Sequence, residues 1–449
     1  MSTQLTTEKN AYSTAFREAM RQRAALEPSW LVRLRQESFD KFEQSGFPAV
    51  QQEEWKYTNV AAISRTKFAP VMARNGTRPD TDWLASFAYE ETRNSTAVFL
   101  NGIFQPDLSS LTGLPAAVSA FELGEALLSE QHGELVRKHF ESGIRPEDNG
   151  FTRLNTALFS SGLFLRISAG VQVETPIQLL FIGQASHDGV IPAAFPRVLI
   201  VGEENSGATI IESYASPGDD TYLTNTIVDM RLGAGARFEH YKVQRESPNA
   251  FHIATTSADL GPQASYDTTT INFGAALSRH NIEVRMDHEG AECAVDGLYM
   301  MDGDQHTDTH SIIDHRQPRC RSHQLYKGIL DGKSRAVFNG KVFVRHGAQQ
   351  TDARQTNKNL LLSKDARIDT KPQLEIFADD VKCTHGAAIG QLEEDEVFYL
   401  ESRGIRPELA RNLLTYGFAE EVIEKIKVDS IRQELDEAVL NRLHVNLDV

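Results

Sequence analysis

The side chains of this 449-residue chain best suited to metal or thiol chemistry are three cysteines, Cys293, Cys320 and Cys383, and 14 histidines. The two types come closest in Cys383-Thr384-His385, inside the run Asp379-Asp380-Val381-Lys382-Cys383-Thr384-His385-Gly386. On an extended strand Val381, Cys383 and His385 share one face, with alternate Cβ atoms ~7 Å apart. A thiolate and an imidazole so placed can bind one soft metal together, or the imidazole can lower the thiol pKa. Two ligands leave a coordination sphere unfilled, so a partner chain or a cofactor would have to supply the others. The competing structural reading is that a Cys-x-His pair merely packs within its strand.

A second concentration is His280, His288, His306, His310, His315 and His323. His306 and His310 resemble a ligand pair, but on a strand positions i and i+4 lie about 13 Å apart. Gly303 and the short or β-branched Thr307, Asp308 and Thr309 oppose a helix there. The alternative is a polar ladder of histidines bonded to Asp or backbone. Asp379-Asp380 would suit a glycosidase, yet neighbouring strand residues face opposite sides. The chain has no G-x-S-x-G, no G-x-x-x-x-G-K-[ST] and no G-x-G-x-x-G, which argues against a nucleophile elbow and against ATP or dinucleotide binding by those routes.

These residues fall in a long zone of period two. From about 95 to 390, Ile282, Val284 and Met286 alternate with Glu283, Arg285 and Asp287. Ala291, Cys293 and Val295 alternate with Glu292, Ala294 and Asp296, and Ala366 and Ile368 with Arg367 and Asp369. Each reads as a half-buried strand. Long helical patterns between strands are absent, which disfavours βαβ units. Gly-Ala pairs at 207, 235, 290 and 347 are irregularly spaced, so no blade-sized repeat emerges. Such a run of strands could make a sandwich, a propeller or a solenoid; a β-solenoid or β-helix, whose turns bury small and β-branched side chains, is the favoured reading.

Residues 1–94 read as helical. Ala11, Ala15, Phe16 and Met20 would share one helix face; Ser29 is a candidate N-cap, followed by Leu31, Leu34, Phe39 and Phe42 up to Gly46-Phe47-Pro48. Residues 391–449 are helical and acidic, with Leu409, Leu413 and Leu414 in a stripe ended by Gly417. Ser430 and Gln433 form a capping-box pattern ahead of Ile431, Leu435, Val439 and Leu443. This tail could cap the solenoid, dock a partner, or do both.

The whole chain carries 46 Lys and Arg against 62 Asp and Glu, a formal net charge of −16. No basic stripe offsets that field, so nucleic acid is not the expected partner. Three dispersed cysteines without a C-x-x-C argue against a zinc ribbon, a dithiol or a disulfide framework, and for a reducing compartment. The N-terminal MSTQLTTEKN has no apolar signal-like core, and no apolar run approaches the ~18 residues of a membrane span. A cytoplasmic protein is expected.

Motifs along nearly the whole chain resemble one family. They are Glu54-Trp55-Lys56-Tyr57-Thr58, Asn101-Gly102, Gly162-Leu163-Phe164, Val173-Glu-Thr-Pro-Ile-Gln178 and Tyr326-Lys-Gly328. Gln355-Thr-Asn357, Asn359-Leu-Leu-Leu-Ser363, Asp369-Thr-Lys-Pro-Gln-Leu-Glu375, Ala378–Gly386, Phe398-Tyr399 and Ser402-Arg403-Gly404-Ile405 complete the order. This order is similar to the SufB/SufD family of the SUF iron–sulfur assembly system. Gly386, where SufB-type chains usually carry Glu, and the low Cys content place the resemblance on the SufD side.

The resemblance implies a mainly β fold, a right-handed parallel β-helix flanked by N- and C-terminal helical regions. It implies an accessory subunit rather than an enzyme. Such a subunit pairs with SufB through the β-helix to form the nascent-cluster site, docks the ATPase SufC on its C-terminal helices and transmits the motion of that ATPase. Cys383 and His385 would lie at the SufB interface, as candidate ligands of a transient iron–sulfur cluster shared with SufB. The chain itself would bind no nucleotide, and flavin binding is left open. Leu413, Leu414, Tyr416 and Phe418 are the candidate SufC contacts, read as an apolar helix-in-groove core. An isolated chain could instead pair with a second copy of itself. The alternatives are a purely structural scaffold, in which Cys383 and His385 only pack, and a β-helix carbohydrate-active enzyme.

Overall fold

The computed structural model describes residues 2–74, 81–141, 148–185 and 189–442. Its body is a parallel β-solenoid of about seven turns, each contributing one strand to each of two sheets. The first sheet stacks Arg197–Gly202, Leu223–Leu232, Phe251–Leu260, Leu277–Met286, His306–His315, Arg335–Val344 and Arg367–Ile376. The second stacks Ile177–Ile182, Gly207–Ala215, Arg237–Arg245, Ser265–Asn272, Glu292–Met301, Arg321–Leu330, Thr351–Leu361 and Val381–Gly390. The expected mainly β architecture with helical flanks is therefore present.

The structure corrects the absence of a repeat. Six turns entering the second sheet each hold one residue at positive φ, between 54° and 72°: Asn205, Gly235, Gln263, Gly290, Arg319 and Gln350. Each is followed by a small residue at most 1% exposed: Ser206, Ala236, Ala264, Ala291, Cys320 or Thr351. The period is carried by backbone conformation and by small size, not by residue type. Only Gly235-Ala236 and Gly290-Ala291 show it as Gly-Ala.

Side chains alternate inward and outward as the period-two reading requires. Ile282, Val284, Met286, Cys293 and Val295 face the main interior core. The interior also holds a polar group. His240 Nε2 lies 2.8 Å from Glu212 Oε1, His252 Nδ1 2.7 Å from Glu246 Oε2, and Lys242 Nζ 2.8 Å from His252 Nε2. All five side chains are buried, so the pairing is what makes their burial tolerable.

Outside, helices cover both sheets. Ser2–Arg23, Ser29–Ser45 and Gly150–Leu158 pack through Tyr12, Phe16, Phe39, Phe42 and Phe151 toward Leu223, Phe251 and Leu277 of the first sheet. Phe16 lies on the buried face as expected, but Ala11 is exposed and Tyr12 takes its place. Ser29 is the first helical residue rather than the cap, and Gly46 closes that helix at φ 67°. Leu123–Leu128, Gly133–Glu141 and Gly150–Leu158 are helices inside the zone read as strands.

The helices Glu394–Ser402, Pro407–Ile423 and Asp429–Arg442 close the described chain. Ala419, Val422, Ile423, Ile431, Leu435 and Val439 bury against Ile211, Tyr241, Val243, Ile271, Leu298 and Ile329 on the outer face of the second sheet. The second of these helices runs through Gly417, which was expected to end it; nothing crowds that position. Ser430 lies inside the last helix and bonds Glu91 instead of forming the expected capping box. Leu443 lies outside the described residues. No helix among them is long and apolar enough to cross a membrane.

Candidate functional site at the open end of the solenoid

The strand Val381–Gly390 pairs with Thr351–Leu361 and is the last of the second sheet. Cys383 follows Cys293, Ser322 and Ala353 in one column of register partners, and packs on the interior core. His385 follows Gln324 and Gln355 in the neighbouring column. Both side chains therefore belong to the inward face. They are not sealed there: Cys383 is half-buried and His385 exposed, because no further turn stacks on theirs. Burial raises the Cys383 thiol pKa, with a smaller push from Asp352. The rim around them is apolar, with Ile376, Phe377 and Ile389 each 41–51% exposed.

Among the described residues no three His, Cys, Asp or Glu side chains cluster as a metal site. Cys383 and His385 thus make at most part of a coordination sphere. Asp379 and Asp380 sit in the turn before the strand, where Gln349 and Gln350 bond the Asp380 backbone. The two carboxylates are therefore carried by a turn and not by a strand.

The histidine concentration is not one ladder. His280 and His315 face inward, the first 2.9 Å from Thr256 Oγ1 and the second 2.8 Å from Ser322 Oγ. Desolvation pushes the pKa of His280 well down and that of His315 to about 4. His288 and His323 are exposed. His306 and His310 face outward, beneath the turn Glu53–Thr58. His306 Nε2 lies 3.0 Å from Thr58 Oγ1, and His310 lies 3.4 Å from Glu54 Oε2 and 3.1 Å from Asp308 Oδ1. These two are therefore structural clasps.

On the outer helices, Leu413 is exposed and Leu414 half-buried. Tyr416 and Phe418 are largely engaged within the chain. Tyr416 donates to Asp436 at 3.0 Å, and both pack against the core beneath the C-terminal helices. The more exposed aromatics are Phe398 and Tyr399, at 69% and 57%. They sit between Val397, which is buried, and Leu400, so the four apolar residues run consecutively and apolar periodicity does not single the exposed pair out.

A family model described as the SufBD core domain of SUF-system FeS cluster assembly matches residues 181–418, more than half of the chain. The chain belongs to the SufBD family. A second model, the SufBD N-terminal region, matches residues 6–179. A SufBD-family iron–sulfur cluster assembly protein of Synechocystis is 37% identical over 422 residues, 92% of this chain and 91% of its own. The SufD of Escherichia coli is 30% identical over 408 residues, 91% and 92% of the two chains. The SufD of Bacillus subtilis is 26% identical over 419 residues, 91% and 93%. Within the SufBD family the chain is SufD-like.

Several motifs that pointed to the SufBD family have structural roles here. Trp55 lies 3.7 Å under the Arg279 guanidinium, and Glu54 bonds Lys341. Gly328 leaves room for the Tyr299 ring, since a Cβ there would come within 2.1 Å of it. Asn359 Oδ1 accepts from the Tyr299 hydroxyl at 2.6 Å.

Proposed function

We propose that this chain is the SufD-type subunit of a cytoplasmic SufB–SufC–SufD complex. Its open solenoid end meets SufB, and Cys383 and His385 supply part of the ligand set for a nascent iron–sulfur cluster, the cargo of assembly. The observation that carries this is the unsealed inward column. A thiol and an imidazole stand where a packed core would continue, bordered by exposed apolar side chains. Thiolate and imidazole both suit iron. Because burial raises the Cys383 pKa, iron arriving there must displace the thiol proton, so occupancy falls as pH falls.

The chain's own role is then to hold and shape, and ATP hydrolysis belongs to SufC. Leu413 and Leu414, with the exposed Phe398 and Tyr399, form the apolar part of the SufC-docking surface. The second reading, a scaffold without ligand role, draws on the partial packing of Cys383 in the core.

The test is co-expression with SufB and SufC, followed by iron and acid-labile sulfide analysis of the purified complex. His385→Ala and Cys383→Ser should leave the complex assembled and lower both contents several-fold. An intact complex with unchanged iron and sulfide would leave the scaffold reading standing.

A further inference from the structure

Three amide side chains of the strand Thr351–Leu361 lie in the interior next to the open end: Gln355, Asn357 and Asn359, none more than 4% exposed. Two have their carbonyl oxygens occupied. Asn357 Oδ1 accepts from Thr370 Oγ1 at 2.8 Å and from Asn359 Nδ2 at 2.6 Å, and Asn359 Oδ1 accepts from the Tyr299 hydroxyl. Gln355 differs. Its Nε2 donates to Gln324 Oε1 at 2.7 Å, and Gln324 Nε2 donates in turn to Ser311 Oγ at 2.8 Å. Gln355 Oε1, however, is buried with no hydrogen-bond partner among the described residues. The facing sheet keeps room for this amide pair: a Cβ at Gly340 would come within 2.3 Å of Gln355 Nε2 and 3.0 Å of Gln324 Oε1. A buried carbonyl without a donor is costly, so its presence calls for one.

The register points to that donor. Gln324, Gln355 and His385 are successive partners in one column. Each amide donates back toward the preceding residue of the chain of bonds and leaves its oxygen for the next. With Nε2 turned to Gln324, the planar amide turns Oε1 away from Gln324, toward the last strand. Beside Cys383 and Ala387, His385 alone carries a strong N–H donor. Its side chain is exposed, so the ring is free to turn onto Gln355. A neutral imidazole holds one N–H and one lone pair on opposite edges of the ring, and an acceptor on one nitrogen fixes which of the two is offered to a metal. We infer that Gln355 is a positioning residue for His385: its carbonyl accepts one ring N–H, holds a single tautomer, and turns the lone pair of the other nitrogen out of the column. The use of this bond rests on the proposed ligand role of His385, but the bond itself can be tested in the full chain alone.

The readout is the ring-nitrogen spectrum of the full chain labelled with 15N-histidine, at a pH that leaves the ring neutral, with His385→Ala to assign the signal. His385 should hold one tautomer, and Gln355→Met should release it to the mixture shown by the exposed His288. Gln355→Glu, which keeps an acceptor in place, should hold the single tautomer. Should Gln355→Met not fold, Gly340→Ala, which crowds the amide from the facing sheet, must release the tautomer instead. A mixture in the wild-type chain overturns the inference, as does a single tautomer that survives Gln355→Met. In the complex co-expressed with SufB and SufC, Gln355→Met should lower iron content several-fold and Gln355→Glu should restore it. Iron lost in His385→Ala but kept in Gln355→Met would overturn the positioning role. Iron kept in both would overturn the ligand role of His385 and leave the tautomer result as it is.

Discussion

Cys293 and Cys383 stand in one inward column of the solenoid, separated by Ser322 and Ala353, and they live in different solvents. Cys293 is 5% exposed within the core, and burial drives its thiol pKa far up. Cys383 has the same orientation with no turn beyond it, so the same thiol is half open to water. A parallel solenoid makes this contrast unavoidable. Every interior turn is sealed by two neighbours, and the last by only one. At that end the first-sheet strand Arg367–Ile376 is in part exposed, whereas Val381–Gly390 of the second sheet is almost wholly bare. Glu53 of the N-terminal turn bonds Lys371 on the last first-sheet strand at 2.6 Å, whereas the outward Ala388 of the last second-sheet strand is exposed. Cys383 and His385 sit on the barer strand.

The contrast breaks first if the sealed middle tolerates loss of a charge. Glu212 is buried beside His240, accepts from the Tyr214 hydroxyl at 2.7 Å, and lies near Lys242, whose pKa burial pushes down to about 8. Glu212→Ala leaves those cationic or polar partners buried without their carboxylate, a loss of about 3–5 kcal/mol. Denaturant unfolding should show it as a large fall in midpoint, and a change under about 1 kcal/mol would mean the interior is far wetter than the packing indicates.

A smaller effect is expected at the N-terminal clasp, which sits between the two regimes. The Glu54 carboxyl is held down at about 2 from an ordinary 4.5, by its bond to His310 foremost and by Lys341. A lowered carboxyl pKa stabilises the fold above pH 4.5, and that contribution drains away as the pH falls toward 2. The Glu54 side chain is 34% exposed, so solvent screening reduces the contribution to about 1–2 kcal/mol. Glu54→Gln should therefore cost that much at pH 7 and almost nothing near pH 2. A cost that stays constant across this range would mean that Glu54 holds the clasp through hydrogen bonding and fit rather than through its charge.

How far the sequence discloses this arrangement depends on what carries each feature. Alternation of Ile282, Val284 and Met286 discloses strands because burial on one face acts on residue type directly. The Cys383–His385 pair is legible for the same reason, its spacing of two putting both on one face. The repeat is not legible, because Asn205, Gln263, Arg319 and Gln350 enter the left-handed region at turns where glycine would advertise it. The partition of the histidines is hidden as well. His310 is a clasp only because Glu54, far away in sequence, folds over it. The same distance hides the pairing of Glu421 with Lys327 and Lys358.

The smallest effects test the column itself. Cys293→Ser places a hydroxyl in the core where the thiol makes no hydrogen bond of note, at a cost of about 1 kcal/mol. Cys383→Ser exchanges the same atoms where water reaches the hydroxyl, and should stay within about 0.5 kcal/mol of the parent. The two substitutions are chemically identical and share one column, so their difference in unfolding free energy isolates sealing by a further turn from every other influence. Equal costs would mean that Cys383 is already enclosed, and an enclosed thiol could not be offered to a partner's cluster. A clear inequality in the isolated chain, shrinking when SufB is bound, would identify the partner as what completes the last turn.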